Sequence, residues 1–395
     1  MKQNVWYGHF AFFNNSNHIM DNVFKIIDKL IEEPSVITAN RLSIVNGKYD
    51  FTELSSIIEE NKELFLDRYA SIFDSNSDIL AKCIVHIILA EIYYQKNDCY
   101  NSLVMVNSAL AFMESEGNEN IWIVGRFFQM CIMIVTGQVS AIYPLVDGME
   151  SRIYKTNNQA LINNYEALRA WCALYDDAKD TIDSWLKKQA PNEYGEIRLE
   201  DTFAYMIKAR VYYMQERYMA AYTLLNPLIK VLESNDRHME LCEVYMLLAL
   251  NFNAEGRKKE AFDFFEKSLS IATDRNFIRL LADEGEAMYL LARSYRRETG
   301  IKNQFLNKVI NASKEMALKY PQYLKKHRDS VPQITRKEKE ILVLLADGRS
   351  NIEIAEFLDN TPNTIKHHLK SIYTKLNVTC RTDAVEEARR ERIIH

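Results

Sequence analysis

The sequence predicts an all-α fold that consists of a long helical array and a small helical module at the C-terminus. Glycine and proline number only 11 and 7 in 395 residues, whereas a chain of short strands needs many turn residues. From about residue 77 to residue 319, apolar side chains recur at helical spacing in segments that short polar breaks separate. The high tyrosine and phenylalanine content, 22 and 18 residues, suits helices packed on helices.

The helices of the array pair across short polar turns. Three predicted pairs are Ile79–Gln95 with Cys99–Met113, Thr202–Glu216 with Tyr218–Leu232, and Leu241–Ala254 with Lys258–Ala272. Between the first pair and the second, the chain has room for two less regular pairs, around Gly137 and Asp176.

Aligning these pairs reveals a repeat of about forty residues. The recurring positions are Ala90, Tyr93, Cys99 and Ser102, then Ala209, Tyr212, Tyr218 and Ala221, then Ala249, Phe252, Lys258 and Ala261. Small residues let two helices cross closely, and the aromatic residue one turn later fills the gap between pairs. The pattern resembles tetratricopeptide repeats, and the alternative is a non-repetitive helical bundle with chance matches.

These observations predict four regions. Residues 1–76 form a divergent helical cap or first repeat, and residues 77–319 form the repeats. Residues 320–333 contain two prolines and a basic run, which is typical of a linker between domains. Residues 334–395 form the small module.

The module opens with two short helices. Thr335 and Glu338 have the spacing of a capping box, for a helix that runs to Asp347 and stops at Gly348. Ser350 is placed to cap a second helix, Asn351 to Leu358.

A third and a fourth helix follow after a tight turn. Thr361 is placed to cap the third helix, and Pro362 suits its first turn. This helix is predicted to run to about Leu376, and the last helix to start near 379–381. The arrangement predicts a helix-turn-helix.

The outer face of the third helix is basic. No acidic residue occurs from Thr361 through Thr382. Lys366 and Lys370 are four residues apart and share one face, beside His367. Such a face suits the major groove of DNA, and a solvated basic surface is the alternative. The candidate DNA-binding residues are Thr361, Thr364, Lys366, His367, His368, Lys370, Ser371, Lys375 and Arg381.

The module resembles LuxR-type helix-turn-helix domains over about 60 residues. The matching residues are the segment 334–342, Gly348, Ile354, Ala355, Leu358, Thr364, Ile365, Lys366, His368, Ile372, Lys375, Leu376 and Arg381. Arg336 and Ile365 depart from the proline and valine that are usual there.

The resemblance assigns roles to these residues. It implies that Lys366, His367 and Lys370 reach base edges, and that His368 packs or contacts phosphate. It also implies a last helix that mediates dimerisation on double-stranded DNA, and hence a pseudo-palindromic site.

A second resemblance lies at the end of the repeats. The segment 277–288 with Leu290 and Leu291 is similar to one found in MalT-type regulators, which carry an ATP-binding domain, repeats and a LuxR-type module. No GxxxxGK[ST] motif occurs in this sequence. The resemblance therefore implies a shortened relative without the ATPase domain.

The primary functional interpretation is a sequence-specific DNA-binding transcription regulator. Its repeats would sense a small-molecule or protein effector, and RNA polymerase is a further candidate partner. The alternative is a protein-interaction scaffold that acts through the repeats. The effector site is left unassigned: aromatics such as Tyr205, Tyr212, Tyr213 and Phe252 are candidates for its lining, with the repeat core as the competing interpretation.

Other functions have little support in the sequence. The 8 histidines lack a catalytic context, and Asp283-Glu284 is interpreted as a helix cap or surface. None of the 6 cysteines forms a CxxC motif, so no enzyme activity, cofactor or metal is expected. Without a secretory signal or a convincing membrane span, the protein is expected in the cytoplasm.

Overall fold

The computed structural model describes most of the chain from residue 79 onward. The described residues are 24–25, 27–28, 62–69, 79–113, 118–176, 178–235, 237–301, 303–319, 334–376, 378, 380–390 and 393–394. They contain helices and no strand, so the predicted all-α fold is confirmed. Within the same ranges, no helix has the length and apolar character that crossing a membrane requires.

The helices are labelled in chain order. They are α1 Lys62–Arg68, α2 Ile79–Gln95, α3 Cys99–Met113, α4 Glu119–Val135, α5 Ile142–Lys155, α6 Gln159–Asp176, α7 Lys179–Lys188, α8 Thr202–Met214, α9 Tyr218–Ser234, α10 His238–Ala254, α11 Lys258–Arg275, α12 Ile278–Ala282, α13 Gly285–Thr299, α14 Gln304–Lys319, α15 Arg336–Ala346, α16 Asn351–Phe357, α17 Pro362–Lys375 and α18 Arg381–Arg390. Short 3₁₀ turns, Val139–Ala141 and Leu199–Asp201, precede α5 and α8.

The chain divides into two compact units, Met1–Lys325 and Lys326–His395. Most of the predicted N-terminal cap and all of the predicted linker, 320–333, lie outside the described residues. The four predicted region boundaries therefore stay predictions.

All three predicted helix pairs are present. The first has the predicted bounds, and the others differ from them by a few residues at their ends. At the end of α11 the helix runs on to Arg275, where Asn276 takes a left-handed conformation with φ of 59°. Asparagine tolerates that conformation better than most residues, which is why it can end the helix there. The two less regular pairs are α4 with α5 and α6 with α7.

The small residues at the helix crossings are buried as the repeat predicts. Ala90, Ala209, Ala221, Ala249 and Ala261 are each 0% exposed. Replacing any of them with a larger residue would force the two helices of a pair apart.

The first helices of successive pairs contact one another, and the short helix α12 contacts α2 of the first pair. The Tyr94 hydroxyl donates to an Asp283 carboxylate oxygen over 2.8 Å, and the Leu280 amide donates to the Gln95 side-chain oxygen over 3.0 Å. We call this junction of α12 and Asp283 with Tyr94 and Gln95 the closing contact. It joins residues that are 189 positions apart in the chain.

Candidate nucleic-acid interface

The first helix of the C-terminal unit begins at a complete capping box. The Glu338 amide donates to the Thr335 hydroxyl, while the Glu338 carboxylate accepts from the Thr335 amide over 2.8 Å. The helix ends at Asp347, and Gly348 follows with φ of 81°. Such a backbone angle strains residues that carry a Cβ atom, so glycine suits this position. The predicted start and stop of α15 are confirmed.

The next two helices also begin where the sequence predicts. Ser350 caps α16, and Glu353 completes a second capping box that the sequence analysis did not identify. The Thr361 hydroxyl accepts from the Thr364 amide at the start of α17, with Pro362 as the first helical residue. A tight turn between α16 and α17 contains Asp359 at φ of 48°. The two helices with this short turn form the predicted helix-turn-helix.

A compact apolar core holds this unit together. Ile341, Leu342 and Leu345 of α15 pack with Ile354 of α16 and Ile365 of α17. Further buried members are Leu344, Ala355, Leu369, Ile372, Leu376, Val378, Ala384, Ala388 and Ile394. With one side of α17 buried in this core, the opposite side of the helix is turned outward.

The outward side of α17 carries the predicted base-reading residues. Lys366, His367 and Lys370 are exposed, and Thr364 and His368 are half-buried. Among the described residues, no carboxylate lies within 4.0 Å of the ammonium groups of Lys366 or Lys370. Both lysines therefore present uncompensated positive charge to solvent, at the distance of one helical turn from each other.

Ser371 and Lys375 lie on α17 but face Glu338 of α15. The Lys375 ammonium donates to both Glu338 oxygens, over 2.9 and 2.6 Å, and the Ser371 hydroxyl donates to one of them over 2.7 Å. These contacts join the first helix of the unit to the helix with the basic face. The role of Ser371 and Lys375 in binding DNA stays a prediction, and the structure adds an internal role for both.

Arg381 is also engaged within the unit. Its guanidinium donates to the backbone carbonyl of Leu345 over 3.2 Å and to that of Arg349. A cation beside the last carbonyls of α15 is favourable because these groups lack partners within the helix. The two contacts fasten the start of α18 to the end of α15.

The hydrogen bonds at Glu338 change its acidity. Burial alone would raise the pKa of this carboxyl, but the donors from Lys375, Thr335 and Ser371 outweigh it and lower the pKa from 4.5 to about 2. The ionised form therefore stabilises the folded unit above pH 4.5, and this contribution is lost as the pH falls towards 2.

We expect Glu338→Gln to lower the stability of the C-terminal unit by roughly 2–3 kcal/mol at pH 7. Glutamine keeps the capping geometry but lacks the charge that Lys375 pairs with. The difference in stability between the variant and the wild type should shrink at pH 3, because the stabilisation by the ionised Glu338 carboxylate is partly lost there. Hydrogen exchange of residues 334–390 in the full chain, at both pH values, measures this.

The matched control is Glu353→Gln, which alters the second capping box. The Glu353 carboxylate accepts from the Ser350 amide over 2.7 Å and is exposed. It has no described lysine partner of the kind that Glu338 has. Equal loss of protection in both variants would contradict a special role for the Glu338 ion pair.

The repeat unit contains a buried ionic cluster that the sequence analysis missed. Arg210 of α8 donates to Glu243 of α10 over 2.7 Å and to Glu284, and all three side chains are at least nine-tenths buried. Burial raises the pKa of Glu284 in spite of the adjacent Arg210 guanidinium. The interpretation of Asp283-Glu284 as a cap or surface is wrong for Glu284: its side chain makes no cap bond to α13 and lies in the interior.

One sequence signal pointed to this cluster. Arg210 and Glu243 each stand within a long run of apolar residues on helices buried on nearly all sides. A charge in such a helix needs a partner of opposite sign.

The aromatic candidates for an effector pocket lie mostly in the repeat core. Tyr205, Tyr212 and Phe252 are buried, and Tyr213 is half-buried. Tyr205 donates its hydroxyl to a backbone carbonyl, that of Asn192, over 3.3 Å. Of the four, Phe252 also borders an open pocket.

Comparisons with known proteins agree with the helix-turn-helix fold of the C-terminal unit. Residues 332–388 match the family described as bacterial regulatory proteins, luxR family. The C-terminal unit therefore contains a LuxR-type helix-turn-helix domain.

Residues 76–298 match the family described as the MalT-like TPR region, and this match covers more than half of the chain. The chain therefore belongs to the family of proteins with a MalT-like TPR region. This finding confirms the tetratricopeptide-like repeats.

Curated relatives match part of the chain at similar levels of identity. The chain is 32% identical over 162 residues to the HTH-type transcriptional regulator MalT of Klebsiella pneumoniae subsp. pneumoniae. The matched region is 36% of this chain and 18% of that protein. It is 28% identical over 191 residues to the regulator of the same name from Cronobacter sakazakii, or 40% and 20% of the two chains. With the Yersinia pestis regulator it shares 32% over 152 residues, or 34% and 17%. The matches span about a fifth of the length of these relatives.

Proposed function

We propose that the protein regulates transcription by reading a specific DNA sequence with α17. The observation that carries this proposal is the exposed face of Lys366, His367 and Lys370, which stands opposite a buried apolar face of the same helix. An α-helix fits the major groove, where lysine donates to base-edge acceptors and each base pair presents a distinct pattern. Thr361 and Thr364, at the start of α17, are suited to hold a phosphate beside the helix N-terminus.

We further propose that two copies bind together on a pseudo-palindromic site. A pair of helix-turn-helix units related by two-fold symmetry reads two half-sites about one helical turn apart. In this arrangement Ser371, Lys375 and Arg381 act chiefly by orienting α17, because their polar groups are held by Glu338 and by the carbonyls at the end of α15. The repeats bind a small-molecule or protein effector, which changes DNA binding or contact with RNA polymerase.

Selection of genomic fragments by the purified full chain tests this function. The expected result is enrichment of one discrete motif with two symmetric halves, whose affinity falls steeply as salt rises because phosphate contacts release counterions. The selection is repeated with cell extract, which supplies an effector if one is required. Failure to enrich any motif under both conditions would remove the DNA-reading function and leave the repeats as a protein-interaction scaffold.

A further inference from the structure

A pocket of about 260 Å³ opens between α9 and α10 of the repeats. The residues that define its chemistry are Tyr218, Tyr222, Asn251, Phe252, Glu255 and Arg257. Met219 also lines the pocket and is 62% exposed. The volume suits a molecule of roughly ten non-hydrogen atoms, somewhat smaller than a typical drug ligand.

The walls of the pocket are aromatic. The rings of Tyr222 and Phe252 meet edge to face, with centroids 5.6 Å apart. The Arg257 guanidinium lies over the Phe252 ring, 4.4 Å from its centroid, and the Phe264 ring stacks on the same residue. Tyr218 and Tyr222 line the same pocket and provide aromatic surface for a ligand.

Asn251 supplies a hydrogen-bond acceptor without a donor. The side chain is 2% exposed, and its amide nitrogen donates to the Leu247 carbonyl over 2.6 Å. Because a carbonyl can only accept, this bond fixes which end of the amide is nitrogen. The other end, Oδ1, has no hydrogen-bond partner among the described residues. A buried acceptor of this kind is costly unless something donates to it.

The charged groups of the pocket also favour a donor. Arg257 directs two of its nitrogens at Glu260, over 3.0 and 2.8 Å, and approaches Glu255 only at 3.5 Å. Three of its five N–H donors are thus engaged, while the Glu255 carboxylate keeps accepting capacity. At the Tyr218 hydroxyl, burial and then the negative charges of Glu216 and Glu255 raise the pKa. The pocket therefore offers two acceptors, Asn251 Oδ1 and the Glu255 carboxylate, beside the Arg257 cation.

We propose that this pocket binds a small organic ammonium ion with an apolar or aromatic body. Its N–H groups donate to Asn251 Oδ1 and to the Glu255 carboxylate, and its body lies against Tyr218 and Tyr222. A cation beside aromatic rings gains further from their negative faces. This inference rests on the proposed function in one respect: it names the chemical class of the effector that the repeats receive.

The test uses, on the full chain without DNA, three probes that share a phenylethyl body and differ in the polar group. They are 2-phenylethylammonium, 2-phenylethanol and 3-phenylpropanoate, titrated by ligand-observed NMR at fixed ionic strength. We expect the ammonium to bind with a dissociation constant of about 0.1–1 mM, in keeping with its size. The alcohol should bind at least tenfold more weakly, because it brings one donor and no charge, and the carboxylate should not bind. Equal affinity for all three, or no binding of the ammonium, would overturn the site.

Two variants locate the binding. Asn251→Leu fills the acceptor position with an apolar side chain of similar size, and Glu255→Gln removes the charge. Each variant should weaken binding of the ammonium probe at least fivefold. Glu233→Gln is the matched control, since that carboxylate accepts from Tyr245 over 3.1 Å and does not line the pocket. Circular dichroism checks that each variant is folded. Unchanged binding in both pocket variants would place the probe elsewhere and refute the proposal.

A separate experiment tests whether the amine acts as an effector. The affinity for the selected DNA is measured with and without saturating probe. A change supports the amine as effector, whereas binding without any change overturns that role and leaves the pocket standing. Because the probe titration needs no DNA, failure of the pocket and failure of DNA reading give different results.

Discussion

Alanine at both Lys366 and Lys370 is expected to weaken binding to the selected DNA by roughly 30-fold to 10⁴-fold, since each lost base contact costs about 1–3 kcal/mol. The motif preference should be lost along with the affinity. The fold should be unaffected, because both side chains are exposed and make no ion pair in the described part of the chain. Quantitative binding assays at one salt concentration, on the selected motif and on a scrambled sequence, give both values.

The control removes the same charge from a different helix. Lys337 and Lys339 lie on α15, near the start of the unit, so their double alanine variant lowers the net charge equally. It should reduce affinity for both sequences by a similar, smaller factor, since only long-range attraction to phosphates is lost. If the two double variants behave alike, α17 does not read bases and its lysines act only as general positive charge.

The second large effect concerns the buried ionic cluster of the repeats. Arg210→Met should lower the free energy of unfolding of the repeat unit by about 3–5 kcal/mol, because it leaves two buried carboxylates without their cation. The loss should be smaller at pH 5 than at pH 8. Burial already raises the pKa of Glu284, and without Arg210 the folded protein takes up a proton there more readily, which relieves the penalty at low pH.

Urea unfolding of the full chain at both pH values measures this difference. A triple variant, Arg210→Met with Glu243→Gln and Glu284→Gln, serves as the control because no charge of this cluster remains in it. Recovery of at least half of the lost stability is expected in the triple variant. If the triple variant is as unstable as Arg210→Met alone, the loss comes from packing of the arginine stem and not from the unpaired carboxylates.

The sequence predicted those features whose causes are local. Thr335 and Glu338, three residues apart, were sufficient to place the start of α15, and Gly348 its end. The exposed cations of α17 followed in the same way from the spacing of its apolar residues. The repeat pairs were predicted because small residues recur at the crossings.

Features that join distant segments were not predicted. Glu338 was recognised as a cap, but its bond to Lys375 spans 37 positions. The partners of Arg210 lie 33 and 74 positions away, so no pattern within one repeat could pair them. Nor could spacing show that Asn251 is left without a donor, since this depends on which side chains surround it.

The closing contact affects how the repeat unit folds during synthesis. A linear array of repeats can fold progressively during synthesis, because each repeat needs only its neighbours. Here Tyr94 meets its partner Asp283 only after a further 189 residues have been added. The first pair can therefore complete this contact only after α12 has been synthesised. Because opening of α2 then also breaks its bonds to Leu280 and Asp283, we expect slow amide exchange at α2 to depend on residues far along the chain.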